Sequence, residues 1–248
     1  MANALELPSE VNMHRRDVSV PFARRSFLSR LGTGLAALGA ALGAGAAGAE
    51  AQGSADQRWQ PSRHAEDDWF DKLPGKHRMI LDAVSGPGAG DALHFASNVI
   101  TTSKSGYGLE SGDLAIVICL RHGATAVAFT DAMWAKYSEL MSARAKLNDP
   151  KTHAPAAVNV YNSTEYGRLL PNGSATIDAL IKQGVHFAVC DQSTHGYAGG
   201  FAQRTDATAE AVYKELTANR IGNSHMVPSG IVAVGHAQER GYAYAYCG

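Results

Sequence analysis

The chain has little cysteine and no marked excess of either charge. Its 248 residues include 22 basic and 23 acidic side chains, so the formal net charge is −1 at pH 7. A protein that binds nucleic acid or an anionic membrane needs a basic surface, and this composition predicts none. Neither nucleic acid nor a membrane surface is therefore an expected partner.

Metal-ligand spacings are also missing. The sequence has 10 histidines and 3 cysteines, but no two of them stand in an H-x-x-x-H or a C-x-x-C arrangement. We therefore expect no resident metal and no other cofactor. Because three cysteines cannot all pair within one chain, at least one is free, bonded to a partner, or used chemically.

The first 51 residues contain the parts of an export signal. The motif Arg24-Arg25-Ser26-Phe27-Leu28 precedes a Leu/Ala/Gly stretch over residues 31–47, and Ala49-Glu50-Ala51 provides an A-x-A cleavage site. The paired arginines resemble the twin-arginine type of signal. Glycines dilute the stretch below the ~20 strongly apolar residues of a stable membrane helix. We expect a cleaved signal peptide over residues 1–51 and a periplasmic mature chain without a membrane anchor.

The next segment, residues 52–75, is polar but carries the aromatic residues Trp59, Trp69 and Phe70. A disordered linker rarely contains so many large aromatic side chains. We expect an extended arm that packs on the body of the protein or on a neighbouring subunit.

Residues 76–248 alternate between apolar strands and amphipathic helices, which predicts one α/β domain with a mostly parallel sheet flanked by helices. The run LAIVICL at 114–120 is apolar throughout, as in a strand buried on both faces. The other predicted strands are 79–84, 185–190 and 242–246, and the predicted helices are 92–100, 131–141, 177–181, 209–220 and about 231–240. The Asn/Pro/Gly-rich segment 147–175 predicts a lid or an oligomer contact.

Cys190 is the leading candidate for chemistry, because it ends a predicted strand and immediately precedes a helix. In an open α/β sheet, reacting groups gather beyond the carboxyl ends of the strands. The positive end of the next helix favours a thiolate there, and His195 could add to that effect. The alternative is that Cys190 is a small core residue.

The other two cysteines have different sequence surroundings. Cys119 lies within the apolar strand, so we expect its thiol to be buried. Cys247 could be a tail thiol, a disulfide partner or a resolving cysteine for Cys190.

Two further motifs follow strands. Arg121 and His122 resemble the R-H-G motif of histidine phosphatases, but a second histidine with an acidic neighbour has no clear match. We favour a role in which Arg121 and His122 line the cleft of Cys190 and bind an anionic or polar ligand; alternatively, His122 bonds a loop carbonyl. Gly88 and Gly90 could hold an anion on their backbone amides, although a tight turn explains them better.

The predicted α/β domain resembles the DsrE/DsrF-type sulfur-relay family. The resemblance rests on Val227-Pro228-Ser229-Gly230-Ile231, on the ending Gln238-Glu239-Arg240-Gly241-Tyr242-Ala243-Tyr244, on a cysteine that closes the fourth strand, and on the helix start Asp91-Ala92-Leu93-His94-Phe95. It extends over about residues 77–246.

This resemblance implies a flavodoxin-like sheet and a homo-oligomer or small hetero-oligomer. It also implies that the strand-end cysteine, here Cys190, accepts sulfur as a persulfide and hands it to the thiol of a partner protein. The competing hypothesis is a periplasmic protein that binds a ligand or metal through its histidines and Arg121 on the same scaffold. A phosphohydrolase that uses Arg121 and His122 is a third and weaker hypothesis.

The export signal generates the first testable prediction. Replacing both Arg24 and Arg25 with lysine should leave the full-length chain in the cytoplasm, because lysine keeps the charge but removes the arginine pair. Immunoblots of cytoplasmic and periplasmic fractions measure the outcome. Normal processing of the double variant would exclude the twin-arginine route.

Overall fold

A computed structural model describes residues 60–248 of the chain. The predicted signal peptide and the first part of the predicted arm lie outside these described residues. At the centre is a sheet of five strands, all parallel. The strands are β1 (His77–Ala83), β2 (Leu114–Leu120), β3 (His186–Cys190), β4 (Ser224–Val227) and β5 (Ala243–Cys247).

The strand order is β4-β3-β2-β1-β5, so the chain adds strands on one side of β1 and then crosses over to its other side. All seven residues of β2 are buried, as its unbroken apolar run predicts for a central parallel strand. The α/β class and the flavodoxin-like arrangement in a single domain are confirmed.

Helices cover both faces of the sheet. The helices are α1 (Trp69–Lys72), α2 (Gly86–Tyr107), α3 (Asp131–Lys136), α4 (Ser138–Ala145), α5 (Ile177–Lys182), α6 (Asp191–Ala202), α7 (Ala209–Ala218) and α8 (Gly230–Glu239). The larger core lies between the sheet and α2 to α7, and the smaller core lies between the opposite face and α1 with α8. Within residues 60–248, no helix is both long enough and apolar enough to cross a membrane.

The glycine-rich segment after β1 is a helix start, which corrects the predicted turn. Helix α2 begins at Gly86, six residues before the predicted start. The Ser85 hydroxyl caps it by accepting a hydrogen bond from the Gly88 N–H at 3.0 Å, and Pro87 stands in the first turn, where a missing N–H costs little.

The amphipathic segment 131–141 is not one helix, contrary to its periodicity. The backbone leaves helical geometry at Tyr137 (φ −117°, ψ 29°), which separates α3 from α4. The Tyr137 N–H still donates to the Met133 carbonyl, so the side-chain spacing survives the break. Trp134 is fully buried. A pattern of apolar positions does not detect an irregularity of one residue, because the same face still points inward.

The segment 147–175 packs against its own domain. The hydroxyl of Tyr161 donates to the Gly86 carbonyl at 2.9 Å, and the Asn159 amide donates to the carbonyls of Val127 and Phe129. Val160 and Tyr161 are fully buried. Part of this segment is therefore core rather than an open lid.

Residues 60–75 pack on the α8 face of the sheet through short helical turns rather than a fully extended arm. Phe70 is fully buried, and the ring of Trp69 stacks on His225 with the ring centroids 4.0 Å apart. His225 in turn contacts His186, with Nε2 and Nδ1 3.0 Å apart. Burial, with His186 and Arg220 nearby, lowers the pKa of His225 from 6.5 to about 4.

This histidine pair predicts a pH-dependent stability. Because the folded state lowers the pKa of His225, the unfolded chain binds more protons between pH 6.5 and about 4. The free energy of unfolding should therefore fall as the pH drops through this window, and it should fall less steeply in His225→Gln. Urea titrations at several pH values measure the free energy of unfolding of each protein. His77→Gln, at the exposed start of β1, serves as the control; equal pH slopes in all three proteins would contradict the prediction.

Candidate functional site

Cys190 ends β3 and caps the N-terminus of α6, at the carboxyl edge of the sheet. Cys190 closes the third strand of the chain. The family resemblance had implied that it would close the fourth strand. Its Sγ atom accepts a hydrogen bond from the Ser193 N–H at 3.4 Å and another from the Ser193 hydroxyl at 3.2 Å. The residue is 4% exposed.

Ser193 links Cys190 to the neighbouring loop. The backbone N–H of His122 donates to the Ser193 Oγ atom at 3.0 Å. This bond occupies an acceptor position of the hydroxyl and leaves its proton directed at the sulfur. Two donors aimed at one sulfur suit a thiolate, because hydrogen bonds to an ionised acceptor are stronger than those to a neutral one.

The other two thiols lie in different surroundings. Burial raises the pKa of Cys119, and the Asp82 carboxylate adds to the increase. The Cys119 thiol lies 3.5 Å from the Gly230 carbonyl, to which it donates. Burial also raises the pKa of Cys247 to about 11, again with carboxylates nearby. Both sites therefore favour the protonated thiol.

Cys247 cannot act as a resolving cysteine for Cys190 within this folded chain. Strands β2 and β1 lie between β3 and β5, so the two cysteines are three strand spacings apart, on the order of 14 Å. Cys247 pairs with Ala83 of the larger core, whereas Cys190 pairs with Val227 of the smaller core, so the two thiols also face opposite sides of the sheet. A disulfide requires Cα atoms within about 7 Å.

Arg121 follows β2 at the same edge, but its guanidinium turns to β1. It forms a bidentate pair with Asp82, at 2.7 Å from Nε and 3.0 Å from an Nη atom. Asp82 is fully buried and also accepts a hydrogen bond from the Tyr244 hydroxyl. The bond to Asp82 raises the pKa of Arg121. Asp82 was missed in the sequence, although a carboxylate inside an apolar strand was the available signal.

The two candidate histidines have separate positions. His122 is exposed beside Ser193 and adopts a left-handed backbone conformation (φ 53°). His195 lies on the outer side of α6, stacked on Tyr213 with the ring centroids 4.0 Å apart and with Nε2 3.6 Å from the Asp191 carboxylate. In residues 60–248, His195 makes no hydrogen bond to Cys190. The structure therefore brings His122, but not His195, toward the cysteine through Ser193.

Gly88 and Gly90 lie in the first turns of α2 and face protein atoms. A Cβ atom on Gly88 would stand 2.3 Å from the Cys247 carbonyl oxygen. A Cβ on Gly90 would stand 2.6 Å from the Tyr161 hydroxyl and from the Pro171 ring. Both glycines thus allow close packing of α2 against β5 and the 147–175 segment.

A cavity of about 260 Å³ adjoins Ser193 at this edge. Among the residues that line it are His122, Arg144, Gly196 and Tyr197. Arg144 was not singled out in the sequence, because it lies on α4, far along the chain from the strand-end motifs.

The described residues contain no cluster of three or more His, Cys, Asp or Glu side chains that could hold a metal ion.

Comparison with known proteins found no similar protein: no family model, curated protein or solved structure matches the chain.

The hydrogen bonds to Cys190 generate a prediction. Ser193→Ala removes the hydroxyl that points at Sγ, and a hydrogen bond to a charged group contributes about 1.5–3 kcal/mol. Alkylation of Cys190 by iodoacetamide near pH 7 should therefore slow by about tenfold, which peptide mass spectrometry measures. Ser105→Ala, in an exposed position on α2, is the control. If the alkylation of Cys190 is unchanged or faster in Ser193→Ala, the Ser193 hydroxyl does not activate the sulfur.

Proposed function

We propose that the chain is an exported DsrE-like protein that carries sulfur as a persulfide on Cys190 and delivers it to the thiol of a partner protein. The observation that supports this proposal best is the pair of hydrogen bonds from Ser193 to the Cys190 sulfur at the carboxyl edge of the sheet. The other two thiols have a pKa raised by burial, so they are poorer nucleophiles at neutral pH.

The proposed chemistry needs neither metal nor net oxidation. The Cys190 thiolate attacks the outer sulfur of a donor persulfide, R–S–SH; the donor S–S bond breaks, R–S⁻ leaves, and a Cys190–S–SH persulfide forms. A thiolate of the partner protein then attacks the outer sulfur of this persulfide. The Cys190 thiolate leaves with the electron pair of the broken S–S bond, and the partner now carries the persulfide.

The N–H and hydroxyl of Ser193 have a role in both steps. In the first step they stabilise the attacking thiolate, and in the second they stabilise the same sulfur as it leaves. A hydroxyl already held by the His122 N–H needs little reorganisation when charge develops on sulfur.

We also propose that the protein forms a homo-oligomer, as the family resemblance implies. Four of the seven exposed large apolar or aromatic side chains in residues 60–248 lie on the α8 face: Ile231 and Val232 at the start of α8, and Tyr244 and Tyr246 on β5. Tyr244 bonds Asp82, so part of this surface is held rigidly.

The two other hypotheses receive different support. A ligand-binding protein remains the alternative, and the cavity beside Ser193 favours it. A phosphohydrolase is less well supported, because Arg121 is committed to the buried Asp82 carboxylate and is not free to clamp a phosphate.

Persulfide loading tests the proposed function. After incubation with a small persulfide donor, the mass of the protein should increase by one sulfur atom, and peptide mapping should locate the extra sulfur on Cys190. Cys190→Ser should abolish the label, while Cys247→Ser should retain it. Circular dichroism and the unfolding midpoint verify that both variants fold. A label that persists in Cys190→Ser, or no label on the wild-type protein, would refute the proposal.

A further inference from the structure

The cavity beside Ser193 has a charged side chain without a charged partner. Arg144 lines it from the last turn of α4. Within residues 60–248, its guanidinium forms no ion pair with a carboxylate and no side-chain hydrogen bond. Two less exposed arginines do have partners: Arg121 pairs with Asp82, and Arg240 pairs with Asp71.

Packing nevertheless holds the Arg144 guanidinium in place. It lies over the ring of Tyr197, with its central carbon 4.8 Å from the ring centroid. The Tyr197 hydroxyl donates to the Gly123 carbonyl at 3.1 Å, which fixes the ring. A Cβ atom on Gly196 would stand 3.3 Å from an Nη atom of Arg144, so the glycine allows the guanidinium to lie close against α6. Stacking on an aromatic face keeps the N–H edge of a guanidinium free for a ligand.

No acidic side chain lines the cavity. The nearest acidic position in sequence, Asp191, directs its carboxylate to the Tyr213 hydroxyl and to His195 on the outer side of α6. The remaining polar groups are the side chains of His122, Gln192 and Ser193. The imidazole and the amide can both donate hydrogen bonds. The surroundings are therefore those of an anion site.

We propose that this cavity binds a small anion, a carboxylate or a tetrahedral oxyanion, through Arg144 and the polar side chains of His122, Gln192 and Ser193. A guanidinium matches two oxygens of such a group with two parallel N–H bonds. The volume of about 260 Å³ accommodates a ligand of a few heavy atoms beyond the anionic group.

The cavity also identifies a class of sulfur donor, and this second step rests on the proposed function. Ser193 both lines the cavity and donates to the Cys190 sulfur. Cys190 does not itself line the cavity. An anionic group held at Arg144 would place a short sulfur-bearing chain beside Ser193, the residue that is bonded to the Cys190 sulfur. The preferred donor is then a small persulfide that carries a carboxylate.

Sulfate is the probe for the anion site itself. Isothermal titration at constant ionic strength should detect binding to the wild-type protein, and Arg144→Gln should weaken it at least tenfold. Arg204→Gln, at an exposed arginine without an ion pair in the described residues, should change it less than twofold. Cys190→Ser should bind sulfate normally, so loss of the sulfur chemistry and loss of the anion site are distinguishable. If the wild-type protein does not bind sulfate, or if both arginine variants weaken sulfate binding equally, the proposed anion site is wrong.

A matched pair of donors tests the donor class. The carboxylate-bearing persulfide of thioglycolate and the neutral persulfide of 2-mercaptoethanol differ at the group that Arg144 would hold. Arg144→Gln should slow sulfur loading of Cys190 from the first donor about tenfold and leave the second unchanged. Equal slowing with both donors would indicate a structural effect and overturn the assignment of the donor. Because Arg144 is exposed, the variant should fold, and its unfolding midpoint verifies this.

Discussion

The buried carboxylate of Asp82 is the constraint on which the carboxyl edge of the sheet depends. An ionised carboxylate without solvent costs several kcal/mol unless it is paired and hydrogen-bonded. Arg121 and Tyr244 supply those bonds, so Asp82 joins the ends of β1, β2 and β5. The Arg121 guanidinium lies toward β1, whereas the chain after Arg121 turns toward β3. His122, in a left-handed conformation, then reaches Ser193 beside β3.

The fold could be predicted from the sequence wherever a pattern is repeated over several residues. The apolar run of β2 predicts a central parallel strand, and the spacing of Ile177, Leu180 and Ile181 predicts α5. The start of α2 could not be predicted in this way, because Gly86 to Gly90 has the local composition of a turn. Its glycines are needed for contacts with Cys247 and Tyr161, which are far along the chain.

The candidate site was only partly predictable for the same reason. Cys190 ends one strand and His122 follows another, and the parallel direction of the strands brings such residues to one edge of the sheet. Ser193 lies between Cys190 and His195 in the sequence, but its bonds to both the Cys190 sulfur and the His122 N–H depend on the approach of the His122 loop. Arg144 had no sequence signal, because tertiary packing alone brings α4 to the cavity, where Arg144 lies over the Tyr197 ring. His195 stood close to Cys190 in sequence, yet helical geometry turns it to Tyr213.

The strand order has a consequence for how the chain acquires its structure. Strand β1 lies between β2 and β5, and Met79 pairs with Ala243, which is 164 residues further along the chain. Pairings between such distant segments are slow to form, because a long loop must close before any contact offsets its entropy. The hydrogen bond from Tyr244 to Asp82 also waits for β5. Until β5 leaves the ribosome, β1 has an unpaired edge and its carboxylate lacks one donor, so the sheet cannot be completed while only the first four strands have been synthesised.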